Sequence, residues 1–189
     1  MLKIGIIIGS TRPGRNGEAV GKWVYEAALK HAGADFELVD LVDYNLPIYD
    51  EPNPPLTQKY TKEHTKRWSA KIVSLDAFII VTPEYNHSTS AALKNAIDYL
   101  AVEWANKAAG FVGYGSALGA RAVEHLRQIL GELKVADVRS QVGLSLFTDF
   151  ENFHTFKPGP QHQANLKALF DETISWGSAM KSLREKQAR

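Results

Sequence analysis

The chain has 189 residues, of which 44% are hydrophobic and 23% charged, and its formal net charge is +1. That size and balance suit one domain with a core of its own and speak against a polybasic nucleic-acid binder. It contains no cysteine, which excludes disulfides, thiolate nucleophiles, zinc–thiolate sites and iron–sulfur clusters.

Met1–Ser10 carries only the apolar run Ile6–Ile8 before Gly9, too short for a signal-peptide core. No segment approaches the ~18 apolar residues of a membrane helix. A cytoplasmic protein with neither membrane nor nucleic-acid partner is expected, and Asn86-His87-Ser88 reads as a chance sequon. Lys3–Ile8 is a first strand. Val20, Trp23, Val24 and Ala27 fall at helical spacing and predict a helix from Asn16 to about His31. Phe36–Val39 is a second strand. The proline-rich stretch Leu46–Pro55 is loop, and a polar helix is predicted over about 57–74.

Ala77–Val81 is apolar throughout, as in a strand covered on both faces of a parallel sheet. Leu93, Ala96, Ile97 and Leu100 form a helical stripe. Ala108–Gly113 is a fourth strand, Val123, Leu126, Leu130 and Leu133 a further stripe, and Val135–Leu144 contains a fifth strand. Leu166, Leu169, Phe170, Ile174 and Met180 mark a long last helix, with a polar tail over 184–189 expected to fray. Five β-α units imply a single α/β domain over 1–189, a parallel sheet with helices on both faces. Ligands bind such sheets beyond the carboxyl ends of the strands, where strand order reverses.

Three loops lie at that edge. Gly9-Ser10-Thr11-Arg12-Pro13-Gly14-Arg15-Asn16-Gly17 joins strand one to a helix N-terminus, where free N–H groups and the helix dipole favour an anion. Ser10, Thr11 and Asn16 can donate to phosphate oxygens, and Arg12 or Arg15 can add charge. The pattern is neither a Walker loop nor Gly-x-Gly-x-x-Gly; the alternative is an ordinary capped, glycine-rich loop. Val81-Thr82-Pro83-Glu84-Tyr85-Asn86-His87-Ser88 follows strand three. It predicts a fixed turn with outward N–H groups suited to the polar edge of a flavin, Tyr85 supplying an aromatic surface and Ser88 or Thr89 a helix cap. Glu84 and His87 read either as an acid–base pair or, in the preferred reading, as structural residues. Gly113-Tyr114-Gly115-Ser116-Ala117-Leu118-Gly119 follows strand four, its glycines allowing close approach to a flat ligand. Ser116 lacks the glycine flanks of a nucleophile elbow. No metal ligands are predicted.

Gly-Ser-Thr-Arg at 9–12, Thr-Pro-Glu-Tyr-Asn at 82–86 and Gly-Tyr-Gly-Ser at 113–116 occur in this order. With them the chain resembles the NADPH-dependent FMN reductase family, from Met1 to about Leu130 and more loosely in the last helix. The resemblance implies a flavodoxin-like, doubly wound five-stranded parallel sheet of order 2-1-3-4-5. It implies non-covalent FMN, with the phosphate at Ser10, Arg12, Asn16 and Gly17 and the ring against Pro83, Glu84, Tyr85 and Asn86. Tyr114, Gly115 and Ser116 line the ring's other edge. NADPH or NADH is the implied co-substrate, with Arg15 toward its phosphates or else a surface arginine, and hydride passes to flavin N5 in a ping-pong cycle serving quinones, azo dyes, chromate or free flavin. No protein group is expected to act as a catalytic acid or base. The family often has serine where Asn16 stands and glycine where Ser116 stands. A homodimer or homotetramer is implied, with the helix after Asn86 at the interface; Trp104 and Tyr99 suit either that contact or the core. The alternative is a flavodoxin-type carrier without nicotinamide turnover. Phe147–Phe156, with phenylalanine at every third position, matches no motif: side chains packed against the last helix, a lid and an oligomer contact are the readings open to it.

Overall fold

The computed structural model describes residues 1–187. Seven strands and five α-helices follow one another as β1 (Leu2–Ile8), α1 (Gly17–Ala28), β2 (Ala34–Asp40), α2 (Glu63–Val73), β3 (Ala77–Pro83), α3 (Ala91–Asp98), β4 (Ala108–Gly115), α4 (Ala120–Glu132), β5 (Ala136–Ser145), β6 (Phe150–Glu151), β7 (Thr155–Phe156) and α5 (His162–Gln187). Strands β1 to β5 form one sheet in the order β2-β1-β3-β4-β5, all neighbours parallel. The expected doubly wound α/β architecture is the one present.

Side chains alternate across the pleat, so each strand feeds two cores. Ile4 and Ile6 of β1 and Ile79 and Val81 of β3 face α1 and α5, where Val20, Val24, Leu166 and Leu169 meet them. Ile7, Phe78, Ile80 and Phe111 face the other side, against Trp68, Ile72, Leu93 and Leu126 from α2, α3 and α4. Every residue of β3 and β4 is buried, which is why these strands read as unbroken apolar runs. Tyr99 and Trp104 are both fully buried. They belong to the core, packed with Tyr49, Trp68 and Phe78, and cannot serve as a contact between copies.

Three boundaries differ from the sequence reading. Helix α2 starts at Glu63 rather than near 57, because the buried Glu51 carboxylate takes the N–H groups of Thr61 and Lys62 at 2.8–3.1 Å and holds that stretch extended. Helix α1 ends at Ala28, three residues before His31. The polar tail is helical as far as Gln187: Arg184 pairs with Asp76 at 2.6 Å and donates to the Asn106 carbonyl at 2.6 Å. Residues 188 and 189 lie outside the described residues.

The segment after β5 is a small antiparallel hairpin, β6 against β7. Its four phenylalanines divide by depth. Phe150 and Phe156 point inward, onto Tyr114 and onto Trp23 of α1, into the core that Leu166, Leu169 and Phe170 of α5 also line. Phe147 and Phe153 stay exposed.

Candidate cofactor site

The loops after β1, β3 and β4 gather at the carboxyl end of the sheet. Gly9 extends the β1–β3 pairing, its N–H donating to the Val81 carbonyl at 2.8 Å. Ser90 donates to the Gly9 carbonyl and accepts from Leu93 N at 3.1 Å, so one hydroxyl ties the first loop to the start of α3. The helix cap is therefore Ser90, one residue beyond the candidates Ser88 and Thr89; Thr89 bonds Thr82 at 2.8 Å instead, and Ser88 meets Nδ1 of His125 at 2.9 Å.

The expected phosphate residues take different depths. Thr11 and Arg12 are exposed, Asn16 is half-buried, and Ser10 and Gly17 are buried. Ser10 Oγ accepts from the Tyr114 hydroxyl at 3.2 Å. Burial pushes the Tyr114 phenol up to about 12, so it remains a neutral donor. Tyr114 is thus a strut between the first and fourth loops, with little surface to offer a ring. Asn16 stands at the start of α1 but does not cap it; its amide donates 2.8 Å to the Phe153 carbonyl of the hairpin. The first-turn N–H groups of α1 consequently have no side chain competing with an anion.

Arg15 lies inside the loop. Its guanidinium pairs with Asp40 at the end of β2 and donates 2.8 Å to the Ser10 carbonyl. Its Nε is buried with no partner.

Beyond β3, Tyr85 and Ser88 exchange backbone bonds of 2.8 and 3.1 Å around Asn86 and His87. Both central residues have positive φ, 47° and 75°, the mirror-image turn that asparagine tolerates well. The turn presents Tyr85, Asn86 and His87 to solvent. The Glu84 carboxylate is bound by Arg121 of α4 through Nε at 2.6 Å and the backbone N–H at 3.2 Å. No Glu84–His87 acid–base pair is formed; Glu84 joins the β3 loop to α4. Glu84 N–H also donates to the Tyr114 carbonyl at 3.0 Å. A Cβ on Gly115 would come within 3.2 Å of Glu84 Cβ, so the glycine is what lets the third and fourth loops touch. Ser116, just beyond, is exposed.

A hollow of about 310 Å³ opens beside the first loop, between Thr11, Leu41, Leu46 and Ala92. Together with the uncapped start of α1, the orphaned Arg15 donor and the outward turn after β3, it fits a flat ligand carrying a phosphate. Asp40 and Arg121 hold the loops of the site from behind, and the backbone carbonyl of Phe153 holds Asn16 from outside it; sequence reading missed all three. Only the phenylalanine repeat marked any of them, and it named no partner.

An open parallel sheet of order 2-1-3-4-5 with a phosphate-type loop after its first strand defines a flavodoxin-like mononucleotide-binding protein. The sequence model of the NADPH-dependent FMN reductase family matches residues 2–149, and the chain belongs to that family. It is 39% identical over 175 residues to the NAD(P)H-dependent FMN reductase C4B3.06c of Schizosaccharomyces pombe, covering 90% of this chain and 88% of that one. It is 39% identical over 158 residues to the NAD(P)H-dependent FMN reductase ntnL of a Nectria species, covering 79% of each. Among solved structures, FerB of Paracoccus denitrificans, a flavoenzyme NAD(P)H:(acceptor) oxidoreductase, superposes with a TM-score of 0.75 at 22% identity, over 95% of this chain and 99% of FerB. FerB thus shares the fold.

Proposed function

We propose that the carboxyl edge of the sheet holds FMN without a covalent bond and that the enzyme uses NADPH or NADH to reduce small acceptors such as quinones, azo dyes, chromate or free flavin. The observation that carries this reading is the uncapped α1 N-terminus with Arg12 and Thr11 exposed beside it, after a strand that pairs with β3, whose own carboxyl end carries the turn of Tyr85, Asn86 and His87. When bound, FMN supplies a two-electron carrier that accepts hydride from a nicotinamide and passes electrons on.

The chain's own residues hold and orient. Backbone N–H groups of Gly17 and its successors and the side chains of Thr11 and Arg12 bind the phosphate, while Ser10, Tyr114 and Arg15 fix the loop from beneath. Pro83, Glu84, Tyr85, Asn86 and His87 set the ring edge, and the N–H groups of Asn86 and His87, which the turn's own backbone bonds leave open, favour negative charge on it. Gly115 and Ser116 border the other side. Arg15, engaged with Asp40, serves this reading as a brace of the phosphate loop in preference to a contact for the nicotinamide dinucleotide.

We also propose a cytoplasmic homodimer or homotetramer; among the described residues no helix is long and apolar enough to cross a membrane. An apolar hollow of about 440 Å³ between α3 and α4, bordered by Leu56, Ile97, Leu100 and Ile129, supports α3 as part of the contact.

The test is an anaerobic absorbance spectrum of protein loaded with FMN and desalted, before and after NADPH. Retained flavin bands that bleach on NADPH addition are expected. Bands that persist with both NADPH and NADH would instead indicate an electron carrier. Loss of all flavin on desalting, with no NADPH oxidation in excess FMN, would remove the cofactor reading.

A further inference from the structure

The hairpin after β5 has no part in the cofactor reading, yet it is fastened to two of the loops that form the site. It starts at the fourth loop, where Leu146 N–H donates to the Gly115 carbonyl at 3.2 Å. It reaches the first loop at its tip, where the Phe153 carbonyl accepts from Asn16 at 2.8 Å. Its base is locked by Asp149, 2% exposed, which accepts from Ser145 N–H at 2.8 Å, Gly159 N–H at 3.1 Å and Nε2 of His162 at 2.9 Å. Phe150 and Phe156, rings 5.1 Å apart, root it in the core.

On this rigid mount stand two rings that the core does not use. Phe147 and Phe153 are 67% and 54% exposed, and they meet edge to face at 5.9 Å and 83°. Phe153 and its neighbour Asn152 both hold positive φ, 63° and 51°, a conformation a bulky residue adopts only when its surroundings impose it. The Asn16 bond is one such constraint. An exposed, pre-paired aromatic couple offers a flat apolar ligand a face and an edge with little rotamer freedom left to lose. The hairpin's lysine, Lys157, is paired with Glu151 at 2.6 Å, so the hairpin offers no cluster of cations to a small inorganic oxyanion.

We propose that Phe147 and Phe153 are specificity-determining residues that select planar aromatic electron acceptors of the bicyclic quinone class. The inference rests on the cofactor reading of the adjacent loops, and its test separates the two. FMN-loaded wild type, Phe147→Ala and the Phe147→Ala/Phe153→Ala double variant are compared with menadione and with ferricyanide as acceptors. Alanine keeps the residue 153 carbonyl that Asn16 binds, and Phe147→Ala alone leaves the strained tip untouched. Expected is a rise of about tenfold in KM for menadione in the double variant, with kcat little changed. Menadione binding to the oxidised protein, measured by calorimetry, should weaken by the same factor. Ferricyanide kinetics and the FMN dissociation constant should stay at wild-type values.

Unchanged menadione KM and affinity would overturn the proposal. So would an equal loss of FMN affinity, which would assign the pair to the cofactor. A changed sedimentation coefficient with unaltered menadione binding would assign it to a contact between copies and overturn it as well. A wild type that retains no FMN and oxidises no NADPH in excess FMN would overturn the cofactor reading itself, before the variants are compared.

Discussion

Gly17 is the first helical residue of α1, and the space beside it explains why it has no side chain. A Cβ there would collide with Ser10 Oγ and come within 2.7 Å of the Tyr114 hydroxyl. In isolation Gly17→Ala favours the helix, by up to about 1 kcal/mol. In this protein it pushes apart the two residues that brace the phosphate loop. The variant is therefore expected to unfold within a few degrees of the wild type and to bind FMN at least about tenfold more weakly, as read by flavin fluorescence titration. Wild-type affinity would show that the Ser10–Tyr114 strut is not needed for the site. At this scale the sequence was legible in residue type and opaque in partner. Serine, threonine, arginine and asparagine beside a helix start mark an anion loop in any order. That Asn16 reaches Phe153, and that Arg15 is held by Asp40, depends on contacts 137 and 25 residues apart, which no local pattern encodes.

At the scale of elements, legibility follows periodicity. The five main strands and the helical stripes announced themselves because burial on one or both faces leaves a period of 2, a period of 3.6 or an unbroken apolar run. The strand order came from the family resemblance and from no periodicity. The hairpin escaped because phenylalanine every third residue fits neither template, and its strands are two residues each. Helix α3 offers an element-scale test. Its cap, Ser90, is 3% exposed and serves two elements, accepting from Leu93 N–H and donating to Gly9. Ser90→Ala removes a cap worth about 1 kcal/mol and leaves the buried Gly9 carbonyl short of a donor, a further ~1 kcal/mol. A fall of about 4–8 °C in Tm is expected for a chain of this length. FMN should recover part of it if the first loop is the cofactor's seat, so calorimetry with and without FMN reads both effects.

Across the whole molecule the two ends of the sheet have separate tasks. The carboxyl end carries the loops; the amino end is closed by charge. Asp76 accepts from Lys3 N–H at 3.0 Å, Lys181 at 2.9 Å and Arg184 at 2.6 Å, pinning the far end of α5 under β3. Among these groups Lys107, at the foot of β4, is only 4% exposed. Its ammonium donates to the Ile72 carbonyl and lies 5.5 Å from the centre of the Phe78 ring, with no carboxylate within ion-pair distance among the described residues. Burial, and after it the charge of Arg184, pulls its pKa from 10.5 down to about 7. In the unfolded chain a lysine titrates near 10.4. Between those values the unfolded chain holds a proton that the folded one does not, so stability rises with pH from about 7 upward and is lowest where both states are charged. Tyr60 and Tyr99, whose phenols burial raises above 10, reverse the trend above about pH 10, because the unfolded chain then loses protons the folded one keeps. Tm should therefore climb from pH 7 to pH 9 and turn over beyond pH 10. Lys107→Met keeps the chain's bulk and removes the charge. It should raise Tm most at and below pH 7 and flatten the climb to pH 9, leaving the alkaline fall in place. A variant that retained the wild-type slope between pH 7 and pH 9 would place the responsible proton elsewhere.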